Sequence, residues 1–204
     1  MKSSSITGAE SAFAILRRLA RPGLELEQCE FCSNRIPAQH RHLFEPATRK
    51  IICACDACAL RFENVVGRWK LIPRDTRFLT DVRISQAQWD SLALPINLAF
   101  FFQSTVANRV VAMYPSPAGA TESLLPLGDW EALVSANRGL ARLQPDVEAL
   151  LVNRLGSVPG YWIAPIDTCF ELVGLIRIHW RGFSGGDRVW RAVGDFFAKL
   201  EPQS

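Results

Sequence analysis

The spacing of apolar residues along the chain predicts two amphipathic helices in its last third. They span residues 167–178 and 187–200, and in the second helix Val189, Val193 and Phe196 recur at the spacing of one helix face. An apolar stripe of this kind packs against a sheet or against another helix. We therefore expect both helices to cover part of a larger core.

Weaker signals predict three further helices. Residues 9–21 carry apolar residues on one face and are followed by a proline–glycine pair, which ends a helix. Ser85 is a suitable N-cap for a helix that continues to Leu92. Residues 129–143 also have a helical pattern, with a break expected at Gly139.

Six short runs rich in β-branched and aromatic residues predict strands, because such side chains fit a pleated surface. The runs are residues 69–72, 96–102, 109–114, 122–125, 147–154 and 161–166. A short loop separates the second run from the third, which predicts an antiparallel hairpin, and a turn at 115–119 leads to the fourth. The last two runs pair around the loop 156–160 in one interpretation, whereas residues 147–154 are helical in another.

The composition is that of a folded protein. The chain has 204 residues, of which 49% are hydrophobic and 21% charged, and it is too apolar for intrinsic disorder. Its formal net charge is only +3, which argues against nucleic acid as a partner. The most apolar run, residues 92–102, is interrupted by Pro95 and is too short to span a membrane as a helix. The first residues lack an export signal, so we expect a cytoplasmic protein with reduced cysteines.

Five of the six cysteines lie between positions 29 and 58. Four of them form two Cys-x-x-Cys pairs, Cys29 with Cys32 and Cys55 with Cys58. Each pair can present two thiolates from one tight turn, and two such turns complete the tetrahedron that Zn²⁺ adopts with four sulfurs. In a reducing compartment this spacing predicts a zinc-ribbon-like metal site rather than disulfides.

Three other residues of the same segment are candidates for this metal site. Cys53 lies two residues before the second pair, and His40 and His42 lie between the pairs. Any of them could replace one of the four cysteines, although we expect a surface or supporting role for each histidine. The four thiolates also fit iron in a rubredoxin-like site. Neither pair is followed by the glycine typical of that site, because Ser33 and Ala59 stand there.

Together these patterns predict an α+β fold, an antiparallel sheet with packed helices plus a small N-terminal zinc-ribbon-like module. The expected units are an N-terminal helix in residues 1–25, the metal module in 26–64 and an α+β domain in 65–204. Residues 26–64 are rich in turn residues and poor in apolar periodicity. We do not expect such a segment to build a core of its own, so a bound metal would have to hold it together.

The chain lacks the motifs of several common enzyme classes. It has no His-Glu-x-x-His motif, no nucleophile elbow and no phosphate-binding P-loop. The sixth cysteine, Cys169, lies among apolar residues of a predicted helix and is expected to be a core thiol. Gly185 and Gly186, beside arginines, could hold an anion, but we expect Ser184 or Asp187 to cap the helix there. We therefore expect no enzymatic activity.

Six segments of the chain carry a family resemblance: residues 29–32, 40–43, 52–59, 98–102, 114–126 and 180–187. They resemble an uncharacterised bacterial family that is encoded in operons of NiFe uptake hydrogenases, notably the oxygen-tolerant actinobacterial type. The resemblance extends from about Cys29 to Phe197, and its most distinctive parts are the cysteine run and the stretch Pro-Ala-Gly-Ala-Thr-Glu-Ser. It implies an accessory role in hydrogenase assembly or electron transfer, and it implies no particular reaction.

Three functions are compatible with these observations. The favoured one is a zinc-binding accessory protein that assists hydrogenase assembly or maturation by binding a hydrogenase subunit or a maturation factor. The second is a rubredoxin-like iron electron carrier that uses the same four cysteines. The third is a zinc-ribbon regulator that binds nucleic acid with Arg17, Arg18 and Arg21 of the first predicted helix.

Overall fold

The computed structural model describes residues 27–63, 65, 68–123 and 130–201. The helix predicted over residues 9–21 lies outside this part of the chain. Within it, the chain forms two antiparallel sheets and five α-helices, which confirms the predicted α+β class. The predicted division into three units stays a prediction.

The smaller sheet contains three strands in the order β2-β1-β3. β1 is Arg41–Glu45, β2 is Lys50–Ala54 and β3 is Lys70–Leu71, and helix α1, Asp56–Glu63, comes directly after the hairpin of β1 and β2. The strand predicted over residues 69–72 is confirmed, and it pairs with β1. β1, β2 and α1 are additional to the predicted elements, since five to eight residues are too few to establish a periodicity.

The larger sheet contains six strands in the order β4-β9-β8-β5-β6-β7, and all neighbours are antiparallel. The strands are Arg77–Phe78 (β4), Leu98–Ser104 (β5), Arg109–Ser116 (β6), Gly119–Glu122 (β7), Glu148–Asn153 (β8) and Gly160–Pro165 (β9). The predicted hairpins β5–β6 and β8–β9 are confirmed. The helical alternative for residues 147–154 is wrong, because β8 pairs with strands on both sides. β7 starts three residues before the predicted strand, of which residues 124 and 125 lie outside the described part.

Helices cover both faces of the larger sheet. They are Gln86–Ser91 (α2), Trp130–Ala136 (α3), the 3-10 helix Arg138–Arg142, Ile166–His179 (α4) and Gly186–Leu200 (α5). Alternate residues of β5 enter opposite layers, since Phe100 packs in the cluster with α4 and α5 and Phe101 in the cluster with α2 and α3. Burial on both faces explains why the sequence of β5 is an apolar run rather than an alternation. No helix of the described residues is long and apolar enough to cross a membrane.

Two features at the ends of α2 and α3 show how side chains set helix boundaries. Ser85 caps α2 as predicted, with a reciprocal capping box. The break in the helix predicted over residues 129–143 falls at Asn137 and not at Gly139, which lies within the 3-10 helix. The buried Asn137 amide donates to the Leu133 carbonyl at 2.8 Å, and this hydrogen bond competes with continuation of α3.

Helix α5 starts without the predicted side-chain cap. Neither Ser184 nor Asp187 caps it, and Gly185 occupies the N-cap position with a φ of +84°. A Cβ at this position would press against Val189 and Trp180, so both the conformation and the close packing favour glycine. The expectation of a Ser184 or Asp187 cap is therefore wrong.

Residues of the metal module share a small core with the segment that follows it. The buried members of this core are Cys29, Ile36, Leu43, Ile52, Ala54, Ala59 and Trp69, of which Trp69 lies outside the predicted module 26–64. Successive residues of β1 point to opposite sides, so that Leu43 joins this small core while Phe44 joins the core of the large sheet. The β1–β2 hairpin therefore lies between the two cores and contacts both.

Candidate metal centre

The first cysteine pair lies in a tight turn, as predicted. The backbone N–H of Cys29 donates to Asn34 O and that of Ser33 donates to Cys29 O, both at 2.8 Å. Ser33 adopts a φ of +59°, the conformation for which glycine is usual. The turn therefore forms although serine stands in the position of the typical glycine.

The second pair lies at the start of a helix rather than in a second turn. Cys55 directly precedes α1, and Cys58 lies in its first turn. The backbone N–H of Cys58 donates to the Cys55 sulfur at 3.5 Å. Free N–H groups and the helix dipole both stabilise negative charge at this end of a helix, such as the charge of a metal–thiolate cluster.

The four sulfur atoms have the spacing of a tetrahedral metal site. The sulfurs of Cys29, Cys32, Cys55 and Cys58 all lie within 4.8 Å of one another, and those of Cys32 and Cys55 are 3.8 Å apart. A zinc–sulfur bond of about 2.3 Å places the sulfurs of a regular tetrahedron about 3.8 Å apart. The four cysteines can therefore hold one metal ion without rearrangement.

The electrostatics of the cluster also favour a cation. Burial alone would raise the pKa of the Cys29 thiol, but backbone N–H groups, first that of Cys55, donate to its sulfur and lower the pKa to about 6. Desolvation and hydrogen bonds with the neighbouring thiols raise the pKa of Cys58 to about 12. Adjacent thiolates repel one another, and a divalent cation supplies the charge that allows all four to ionise.

Aromatic packing joins the two elements that carry the cysteines. Phe31 lies between the first two cysteines in the sequence and stacks on Phe62 of α1, with 4.1 Å between the ring centroids. Its other neighbour is Trp69, at 5.6 Å in an edge-to-face arrangement. These rings support the metal cluster from one side, a role that the cysteine spacing does not reveal.

The two histidines and Cys53 form a second group, separate from the four cysteines. Their ligand atoms lie within 4.8 Å of one another. His42 is paired with Cys53 across the β1–β2 hairpin, and His40 lies two residues before His42. The histidine Nε2 atoms are 3.0 Å apart. The structure thus brings together the three residues that the sequence suggested as substitute ligands, but away from the four-cysteine set.

Acceptors fix the orientation of both histidine rings. The His42 Nδ1 atom lies 2.6 Å from the Asp167 carboxylate, and the His40 Nδ1 atom lies 3.0 Å from the Pro37 carbonyl. The Glu27 carboxylate is 3.2 Å from the same His40 nitrogen. Sequence reasoning did not identify Asp167, because it lies 125 positions from His42 and no local pattern connects them.

Glu30 connects the two groups through the backbone. Its N–H donates to Cys53 O at 2.9 Å, and its carboxylate accepts the Cys53 N–H at 3.0 Å. Lys50 donates to the same carboxylate at 2.9 Å. The turn that holds the first cysteine pair is thereby attached to the strand that carries Cys53.

Sequence comparison assigns the chain to a family. Residues 28–204 match the family described as "Family of unknown function (DUF5947)". The chain belongs to this family. No curated protein and no solved structure matches the chain. The region shared with DUF5947 contains all seven ligand residues of the two groups as well as Asp167, whereas Glu27 lies one residue before it.

The remaining cysteine of the DUF5947 region belongs to the core. Cys169 is completely buried in α4, which confirms the predicted core thiol. Burial raises the pKa of this thiol, and the nearby Asp167 carboxylate raises it further. Cys169 is therefore a poor candidate for a nucleophile or a ligand.

Proposed function

We propose that this DUF5947 protein is a zinc-stapled, non-enzymatic accessory protein of the cytoplasm. It assists hydrogenase assembly or maturation by binding a hydrogenase subunit or a maturation factor. The zinc part of the proposal is carried by the sulfur spacing of the four-cysteine cluster. A set of four protein ligands leaves no coordination position for a substrate, which favours a structural role. The hydrogenase part rests on the sequence resemblance.

An exposed apolar patch supports the partner-binding part of the proposal. Phe183, in the loop between α4 and α5, is fully exposed, and Ile178 near the end of α4 is 67% exposed. Leu155 and Trp190 line a groove of about 450 Å³ between α5 and the β8–β9 loop. Exposed apolar surface of this kind is typical of protein-binding sites. We assign the partner-binding face to this patch.

Affinity purification from a hydrogenase-expressing cell tests the partner. We expect the tagged chain to retain a hydrogenase subunit or maturation factor, identified by mass spectrometry. Phe183→Ser and Leu155→Ser should abolish this retention. Val106→Ser should preserve it, because Val106 is an exposed apolar residue in the turn between β5 and β6, outside the patch. Recovery of no hydrogenase component by the wild-type chain would contradict the proposal.

The second candidate function is a rubredoxin-like electron carrier, favoured by the exposure of Cys32. A metal–sulfur bond at the surface gives electrons a short path to a partner. Elemental analysis of the protein purified from its native cell distinguishes the two candidates. The colour of the protein is a second readout, because a ferric tetrathiolate site is red and a zinc site is colourless. Iron at one equivalent per chain would replace the zinc proposal by this one.

A further inference from the structure

We infer that His40, His42 and Cys53 form a second metal site, which holds a divalent cation of zinc-like preference with one coordination position open to a cavity. This inference goes beyond the proposed function, because that function requires only the four-cysteine centre. It is carried by the geometry of the three ligands, the groups that orient them and the cavity beside them.

The ligand geometry comes from the register of the β1–β2 hairpin. His42 and Cys53 are cross-strand partners, so their side chains leave the same face of the hairpin. His40 lies two residues before His42 and joins them on that face. Zinc–nitrogen bonds of about 2.0–2.1 Å place two imidazole ligands of a tetrahedral ion about 3.3–3.4 Å apart. The observed Nε2–Nε2 distance of 3.0 Å requires only a small separation of the rings.

Hydrogen bonding determines which nitrogen of each neutral ring carries a lone pair. The Pro37 carbonyl can only accept, and so can the Asp167 carboxylate, so each Nδ1 atom carries the hydrogen and donates it. Each Nε2 atom of the neutral rings then carries a lone pair, and the two Nε2 atoms are 3.0 Å apart. Neither nitrogen can donate to the other in this state, and a cation bound by both makes the contact favourable. A carboxylate or carbonyl on the second nitrogen is the usual arrangement around a metal-binding histidine.

The charges around the group favour a cation. The carboxylates of Asp167 and Glu27 lie at 2.6 and 3.2 Å from the two histidine Nδ1 atoms. The Glu30 carboxylate adds little to this charge, because Lys50 pairs with it at 2.9 Å. A nitrogen, nitrogen and sulfur ligand set suits zinc and its neighbours in the first transition row rather than magnesium or calcium.

We assign the open position to the cavity beside the histidines. It measures about 350 Å³ and is lined by both histidines, Asp167, Thr168 and Arg74. Zinc sites with three protein ligands keep a fourth position for water or an exogenous ligand, in contrast to the closed four-cysteine type. The Arg74 side chain adds a positive charge to the cavity, so we expect the open position to accept water or a small anion.

Zinc stoichiometry tests the second site. The purified chain is dialysed against Zn²⁺, desalted and analysed for zinc per chain. We expect two zinc ions for the wild type, one for His42→Ala and one for Cys53→Ser. The matched control His179→Asn, at the third histidine of the chain, should retain two. One zinc in the wild type, or two in both ligand variants, would overturn the inference.

A positioning variant covers the case in which the ligand variants do not fold. Asp167→Asn leaves all seven ligands in place and weakens the support of His42, while the asparagine side-chain oxygen can still accept the backbone N–H of Thr168. We expect it to lower the affinity for the second zinc by about 10–100-fold while the affinity for the first is unchanged. Equal affinities of Asp167→Asn and wild type for both ions would contradict the assignment.

Cobalt substitution tests the open position. Azide added to the chain loaded with two Co²⁺ ions should change the visible d–d bands, because it can bind only where a coordination position is open. His42→Ala, which keeps only the four-cysteine cobalt, should not respond. If azide leaves the visible bands of the wild type unchanged, the inference of an open coordination position is wrong.

Discussion

Removal of the metal from the four-cysteine centre is expected to unfold one part of the module and to spare the rest. The affected part is the turn of the first cysteine pair together with Cys55 and α1, since these supply all four sulfurs. The β1–β2 hairpin should persist, because Phe44 and Ile51 pack against the core of the large sheet. Chelation therefore distinguishes the part of the module that the metal holds from the hairpin, which the core of the large sheet holds.

The magnitudes decide this outcome. A structural zinc ion of this kind contributes an apparent binding free energy of about 10–16 kcal/mol near neutral pH. The turn and α1 contact each other through the stacking of Phe31 on Phe62. Such a pair is worth about 0.5–1.5 kcal/mol beyond its area burial. Ala59 is the one residue of the eight-residue α1 that is buried in the small core, and a helix of this length is marginal alone. The stack and this packing therefore contribute much less to holding α1 than the metal does.

Hydrogen exchange followed by mass spectrometry measures the effect. After chelation we expect loss of protection at the Cys29, Ser33 and Ala59 amides, which the turn and α1 protect. The amides of Phe101 and Leu150, central in the large sheet, serve as the internal control and should stay protected. Cys32→Ser should reproduce the chelated pattern. Continued protection at Cys29 and Ala59, with elemental analysis showing complete metal removal, would refute the reasoning.

Four further substitutions test the large domain by chemical denaturation. A Cβ at Gly160 would overlap the buried Trp162 ring, so Gly160→Ala should cost about 3 kcal/mol, whereas Gly174→Ala, which has open space, should stabilise by about 0.5–1 kcal/mol. Asp146 is buried and accepts three hydrogen bonds, one of them from a lysine, so Asp146→Ala should cost about 3–5 kcal/mol. Burial alone would raise the pKa of Glu122, but two arginines lower it below its ordinary 4.5. Its stabilising contribution is present at neutral pH and is lost as the pH falls below about 4.5, so Glu122→Gln should lose less stability on acidification than the wild type.

The sequence predicts the large sheet better than the metal module because the two parts rely on different signals. β5 and β8 are apolar runs that end in turn residues, and such runs indicate strands regardless of what packs on them. In the module, β1 has only five residues, and its two apolar residues, Leu43 and Phe44, are adjacent instead of alternating with polar ones. β2 contains Cys53, which the spacing suggests as a metal ligand and not as a strand residue. The hairpin is therefore recognisable only once its two faces are seen to contact different cores.

The two groups of candidate ligands also differ in how far the sequence predicts them. The four-cysteine cluster is encoded by spacing within each pair, so its members can be named from the sequence. The second group depends on the pairing of His42 with Cys53 and on Asp167, which the fold delivers from the first turn of α4. Neither the register of an unpredicted hairpin nor a contact across 125 positions leaves a local pattern. Sequence reasoning therefore names the histidines as candidates but not their common site.

The β1–β2 hairpin also explains why the two groups should depend on each other unequally. Glu30, from the turn of the first cysteine pair, holds the Cys53 backbone with two hydrogen bonds. Unfolding of that turn removes both bonds and leaves Cys53 held only by its pairing in the hairpin. His42, in contrast, is held by the large domain through Asp167 and contacts none of the four cysteines in the pattern of hydrogen bonds. Loss of the four-cysteine metal should therefore weaken the second site, while loss of the second metal leaves the four cysteines in place.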